Sequence, residues 1–206
     1  MKGKSTAMGM GRIALLLMLA TLLTASCGKK VSRVGAGEQI DLSGKWNDTD
    51  SQLVADAMIK DSLSFPWIED FRGANSGKKP VVIAYGVTNR TSEHINTETF
   101  MKDLERAYLR SGRVTVVADA DQRRNIRDER SEQNQGLTAV PATSGKETGA
   151  NFVLTGVLNS IKDREEGDEV VFYQANLELI NVETNEKVWI GDHKIKKFVS
   201  RSGTTY

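Results

Sequence analysis

Apolar and polar positions alternate most regularly over residues 170–180 (VVFYQANLELI). Val171, Tyr173, Ala175, Leu177 and Leu179 fall on one side, and Phe172, Gln174, Asn176 and Glu178 on the other. A period of two predicts a strand with one buried face. Residues 151–161 (NFVLTGVLNSI) and 187–198 (KVWIGDHKIKKF) read as strands on either side of it. Charged residues 162–169, with Gly167, and the polar stretch 181–186 supply the turns, so a three-stranded antiparallel meander is predicted. Earlier, residues 81–87 (VVIAYGV) form a short apolar run after Pro80 and predict a buried strand, with a second over 114–118. Between them Asn96 or Thr97 caps a helix running to Arg110. Phe100, Leu104, Ala107 and Tyr108 lie on one side, and Gly112 is the stop. Strand, helix, strand with short links implies a right-handed crossover and parallel pairing. The expected fold is α/β (α+β): a mixed parallel and antiparallel sheet of about four to five strands, with flanking helices mainly on one side.

The other segments are less regular. Asp48, Thr49 or Asp50 caps a helix starting near Ser51, with Leu53, Val54, Ala57, Met58 and Leu63 as its apolar side. Residues 64–79 read as an irregular connection, with Trp67 and Phe71 covering the core edge and a turn before Pro80. Residues 119–135 are almost wholly polar and predict an exposed helix, with pairs such as Arg124–Asp128. Residues 136–149 are rich in Gly, Thr and Ser, with a short helix expected near 144–148.

The N-terminus decides where the chain lives. Lys2, Lys4 and Arg12 precede an apolar run, residues 13–23 (IALLLMLATLL). As a helix that run spans roughly 16 Å, against a hydrocarbon core of about 30 Å. A charged start, a short apolar stretch and small residues after it describe an export leader over residues 1–26. Thr24-Ala25-Ser26-Cys27 resembles the lipobox of bacterial lipoproteins, with Thr24 where most members carry Leu. The resemblance implies cleavage before Cys27, a diacylglyceryl group on its sulfur and acylation of the new amine. Several acyl chains make attachment effectively permanent. Residues 27–39 then form a lipidated, flexible, Gly-rich tether, residues 40–200 the globular domain, and residues 201–206 a frayed tail. Gly28 is not the Asp linked to inner-membrane retention, which favours the outer membrane.

The chain has 28 basic and 27 acidic residues. Removing the three basic residues of the leader leaves 25 against 27, a balance that excludes a nucleic-acid binder. Cys27 is the single cysteine, so no disulfide holds the domain. The two histidines, His94 and His193, lack metal-ligand spacing and read as loop or surface groups. Gly35-Ala36-Gly37 sits in the tether rather than between a strand and a helix, and no G-x-S-x-G is present. These features predict no catalytic residues, no metal, no cofactor and no small-molecule substrate.

Two stretches have the chemistry for binding. Arg123, Arg127 and Arg130 share one face of the polar helix, where they can meet partner carboxylates or form a solvated face laced with Asp128, Glu129 and Glu132. Asn89, Arg90, Glu93 and His94 lie in a polar loop between a buried strand and a helix, which serves either capping and turn formation or a presented contact surface.

Residues 41–51 (DLSGKWNDTDS), 89–95 (NRTSEHI), 149–156 (GANFVLTG) and the 173–197 hairpin resemble the LpoB-type lipoprotein activators of penicillin-binding proteins. The likeness covers about residues 40–200 and implies a mixed sheet related to the TolB N-terminal domain. It also implies a function: a non-enzymatic outer-membrane lipoprotein, facing the periplasm, that stimulates a class A penicillin-binding protein and so cell-wall synthesis. The tether is shorter than the long spacers that family members can carry. The alternative is a structural subunit of an envelope or secretion assembly with a TolB-like or curli-secretion-like domain.

Overall fold

The computed structural model describes residues 31–35 and 37–200. The leader, Cys27, the start of the tether and the tail 201–206 lie outside them. The chain divides between Glu38 and Gln39, and the part from Gln39 onward forms one compact unit.

That unit runs α1 (Asp48–Ser64), α2 (Trp67–Ala74), β1 (Val81–Asn89), α3 (Thr97–Ser111), β2 (Thr115–Val117), α4 (Ala120–Glu132), β3 (Phe152–Glu165), β4 (Asp168–Asn181) and β5 (Lys187–Val199). The five strands are ordered β2-β1-β3-β4-β5. β1 pairs parallel with β2 and with β3, and β3, β4 and β5 form the antiparallel meander. The mixed sheet and parallel β1–α3–β2 unit agree with the hydrophobic pattern. On β4 the five residues predicted to be buried are the buried ones.

α1, α2 and α3 cover the inner face of the sheet. Val54, Met58, Trp67, Ile68, Phe100, Leu104 and Tyr108 pack there on Leu154, Leu158, Leu177, Leu179 and Trp189. The opposite face carries Thr155, Asn159, Gln174 and Asn176, partly exposed. α4 buries no side chain, as its polar sequence predicts. Asp119 caps it, and Gly112, at φ 65°, stops α3 in the left-handed conformation that glycine adopts without strain.

Four expectations are corrected. α1 begins at Asp48, because Asn47 rather than a later residue is the cap: its side chain accepts the Asp50 N–H at 3.0 Å, and the Asp50 carboxylate accepts the Asn47 N–H at 2.9 Å. The buried stripe is Val54, Ala55, Met58, Ile59 and Ser62, leaving Leu53 55% exposed. Ser62 holds a core position because its hydroxyl lies 2.7 Å from the Tyr108 hydroxyl. The connection after α1 contains a helix, α2. Pro66 opens it with a preset helical φ, and the Trp67 indole N–H donates to the Ser62 carbonyl. No helix forms over 144–148, where Gly145 is left-handed; α4 is instead extended by a π-helical turn, Gln133–Leu137.

Candidate functional site

The polar loop after β1 is folded by its own side chains. Asn89 Oδ1 accepts from the Thr91 N–H and hydroxyl at 2.9 and 2.8 Å, and Asn89 Nδ2 donates to the Glu93 carbonyl at 2.8 Å. The Arg90 N–H donates to the Leu158 carbonyl of β3 at 2.8 Å. Asn96 closes the loop by capping α3. Within this frame Glu93 points inward, while Arg90 and His94 are exposed.

Glu93 is the centre of the site. Its carboxylate, 9% exposed, accepts from Lys162 Nζ of β3 at 2.7 Å, the Tyr173 hydroxyl of β4 at 2.7 Å and the Trp46 N–H at 3.2 Å. The Tyr173 oxygen also lies 3.2 Å from the Gly44 carbonyl, but its single proton goes to the nearer, charged acceptor. Burial pushes the Glu93 carboxyl up. The bonds from Lys162, Tyr173 and the Trp46 N–H, with the Lys162 charge, outweigh it, and the net shift is down. Burial first, then the Glu93 carboxylate, raises Tyr173 well above its ordinary value. The Trp46 ring packs edge-on against Tyr173 and Phe100, with centroids 5.5 and 6.1 Å away.

A second charged knot lies at the other end of the same N-terminal segment. Lys197 Nζ of β5 meets Asp50 Oδ2 at 2.6 Å, Asp41 Oδ1 at 3.0 Å and the Lys45 carbonyl at 3.1 Å. Hydrogen bonds from Gln39, Lys197 and Asn47 bring Asp41 down to about 2. Gly44 makes the close approach possible, since a Cβ there would sit 2.6 Å from Val199 Cγ2. The two knots strap residues 41–47 onto β4 and β5, and the strap and the 89–95 loop bound an open groove of about 620 Å³.

The arginine face of α4 is organised differently. Arg127 and Arg130 converge on Glu147 of the following loop, at 2.8–3.0 Å, instead of on Asp128, Glu129 or Glu132. Arg124 turns back to Asp121 rather than to Asp128. Arg123 Nε is buried without a hydrogen-bond partner among the described residues. The bonds from Arg127 and then Arg130 draw the Glu147 carboxyl down to about 2. Among the described residues no hydrogen bond or ion pair links this face to the Glu93 site, so the seven predicted residues form two separate clusters. Reading the sequence missed Trp46, Lys162, Tyr173 and Lys197. The signal present was that the 41–51, 89–95 and 173–197 stretches, quoted for the family resemblance, all reach the Glu93 knot.

Among the described residues no group of three or more His, Cys, Asp or Glu could hold a metal ion, and no helix is long and apolar enough to cross a membrane. Residues 50–195 match the family model described as peptidoglycan-synthase activator LpoB. The chain belongs to the LpoB family. The matched region of this LpoB-family chain includes Glu93, Lys162 and Tyr173, while Trp46 and Lys197 flank it. Similar solved structures include the LpoB C-terminal domain from Salmonella enterica: 19% identity, 74% of this chain and 99% of that one, TM-score 0.39. The Escherichia coli LpoB C-terminal domain is 20% identical over 74% of this chain and 99% of that one, TM-score 0.38. Lipoprotein GNA1162 from Neisseria meningitidis is 14% identical over 61% and 88%, TM-score 0.41. No curated protein matches the chain.

Proposed function

We propose that the chain is a lipid-anchored activator of a class A penicillin-binding protein, held in the outer membrane through Cys27 and facing the periplasm. The observation that carries this reading is the LpoB family match over residues 50–195. The protein acts by contact and performs no turnover of its own. It binds active conformations of the synthase more tightly than inactive ones and so shifts their populations. The contact surface is the loop that Asn89 and Glu93 hold in shape, which presents Arg90 and His94 to a partner. The Arg123, Arg127 and Arg130 face of α4 is the second contact, where a partner carboxylate competes with Glu147 for two of the guanidiniums. A tether of about 12 residues extends to roughly 40 Å, so the periplasmic part of the synthase reaches outward to meet the domain.

The test is retention and stimulation together. The lipidated protein, immobilised from detergent, retains a purified class A synthase and raises its rate of glycan polymerisation. No retention and no stimulation at saturating protein refute the reading.

A further inference from the structure

The groove between the strap and the 89–95 loop has a chemical character of its own. The N-terminal ends of two helices open into it, through Asn47 and Asp48 of α1 and through Asn96 and Thr99 of α3. Each helix is long enough to carry a full macrodipole, with 17 residues in α1 and 15 in α3. The α1 capping box satisfies the Asn47 and Asp50 N–H groups, the Ser51 N–H donates to the Asn47 carbonyl and Asn96 caps the Glu98 N–H, which leaves the N–H groups of Asp48, Thr49, Thr97 and Thr99 without intrahelical partners. Lys45, His94 and Lys162 bring basic side chains to the same walls from three different elements. Lys162 spends one of its donors on Glu93.

Ser51 is an independent sign of a ligand. It lines the groove at 4% exposure, and its Oγ is buried without a hydrogen-bond partner among the described residues. A buried hydroxyl left unpaired is costly and rare, and an acceptor entering the groove would satisfy it.

We propose that this groove binds a carboxylate side chain carried on an acidic peptide segment. The proposal rests on the chain being a docking module and names the partner's chemistry. Two helix N-termini, two lysines and a hydroxyl donor favour an anion. The Asp48 and Glu93 carboxylates on the walls offset the two lysines, and because the cost of desolvating an anion rises with the square of its charge while the attraction rises only in proportion, a singly charged group is favoured over a dianion. The groove is far larger than a lone ion requires, at about 30 Å³ per water-sized occupant. Trp46 and Ile95 give the rest of a peptide apolar surface to lie on.

The experiment is an amide NMR titration of the full chain in detergent with a capped glutamate-rich hexapeptide, its glutamine counterpart and sodium acetate. The glutamate peptide is expected to shift Thr49, Ser51, Thr97 and Thr99 saturably, with the glutamine peptide silent and acetate far weaker. Lys45→Glu lowers peptide affinity about tenfold, the scale of one charge-assisted contact, while the melting temperature stays put. Ser51→Ala, which leaves no buried hydroxyl, also weakens the peptide and keeps the fold. Equal shifts with the glutamine peptide, acetate binding as tightly as the peptide, or no shifts at all overturn the proposal. A silent peptide with the synthase still retained refutes the groove alone. A bound peptide with no synthase retained refutes the activator reading and leaves the groove standing.

Discussion

Glu93 and Glu147 are both loop carboxylates drawn below their ordinary range by basic partners, yet they do different work. Glu93 sits under Trp46 and ties together three stretches distant in sequence: the strap, the loop and the meander. Glu147 lies on the surface and closes a loop back onto the helix that precedes it. Equal hydrogen-bond geometry therefore does not mean equal consequence. Removing a buried carboxylate strands its donors away from water, whereas removing an exposed one returns its donors to water.

Replacing Glu93 sharpens this contrast most. Glu93→Ala leaves Lys162 and the Trp46 N–H short of an acceptor, while the Tyr173 hydroxyl falls back on the Gly44 carbonyl, and costs about 2 kcal/mol of stability, read from urea denaturation. A loss under about 1 kcal/mol would show that water replaces the carboxylate freely. The same bond makes stability depend on pH. The Glu93 carboxyl is lowered in the folded state from its ordinary 4.5, so its contribution is complete above 4.5 and is lost as pH falls through the lower folded-state value. The urea midpoint of the wild type should fall through that acid window, and Glu93→Gln should remove that part of the slope. Tyr173→Phe deletes one donor and keeps the ring packing on Trp46, for about 1 kcal/mol. The smallest effect belongs to Glu147→Gln. It should leave the urea midpoint unchanged at about 0.15 M salt while speeding proteolysis within residues 138–150, an acceleration that fades as salt screens the wild-type pair. A midpoint shift as large as that of Glu93→Ala would erase the distinction.

The same contrast explains what could be read from the sequence. β4 was legible because burial alternates along it without interruption, and α3 because its cap, apolar stripe and Gly112 stop all agree. α4 was legible from the absence of any apolar stripe. α2 was missed because eight residues after a proline give too little periodicity, and no side chain caps it. The shift of the α1 stripe came from Ser62, a polar residue held in the core by Tyr108, a residue 46 positions away. The candidate site was half legible. The polar loop and its cap are local, so Asn89 and Asn96 could be placed, but the partners of Glu93 lie 47 and 80 residues away and carry no local pattern. The arginines announced a charged face, but Glu147, 17 to 20 residues further on, could not be picked out among the chain's other carboxylates.

The central claim is that the loop shaped by Glu93 meets a peptidoglycan synthase. The most direct measurement places a photo-crosslinking residue at position 94, and in a control at position 70 on the exposed side of α2, in cells producing the full protein. Mass spectrometry of the adducts should identify a class A penicillin-binding protein from position 94 and not from position 70. Capture of that synthase equally from both positions, or of none from position 94, would contradict the account.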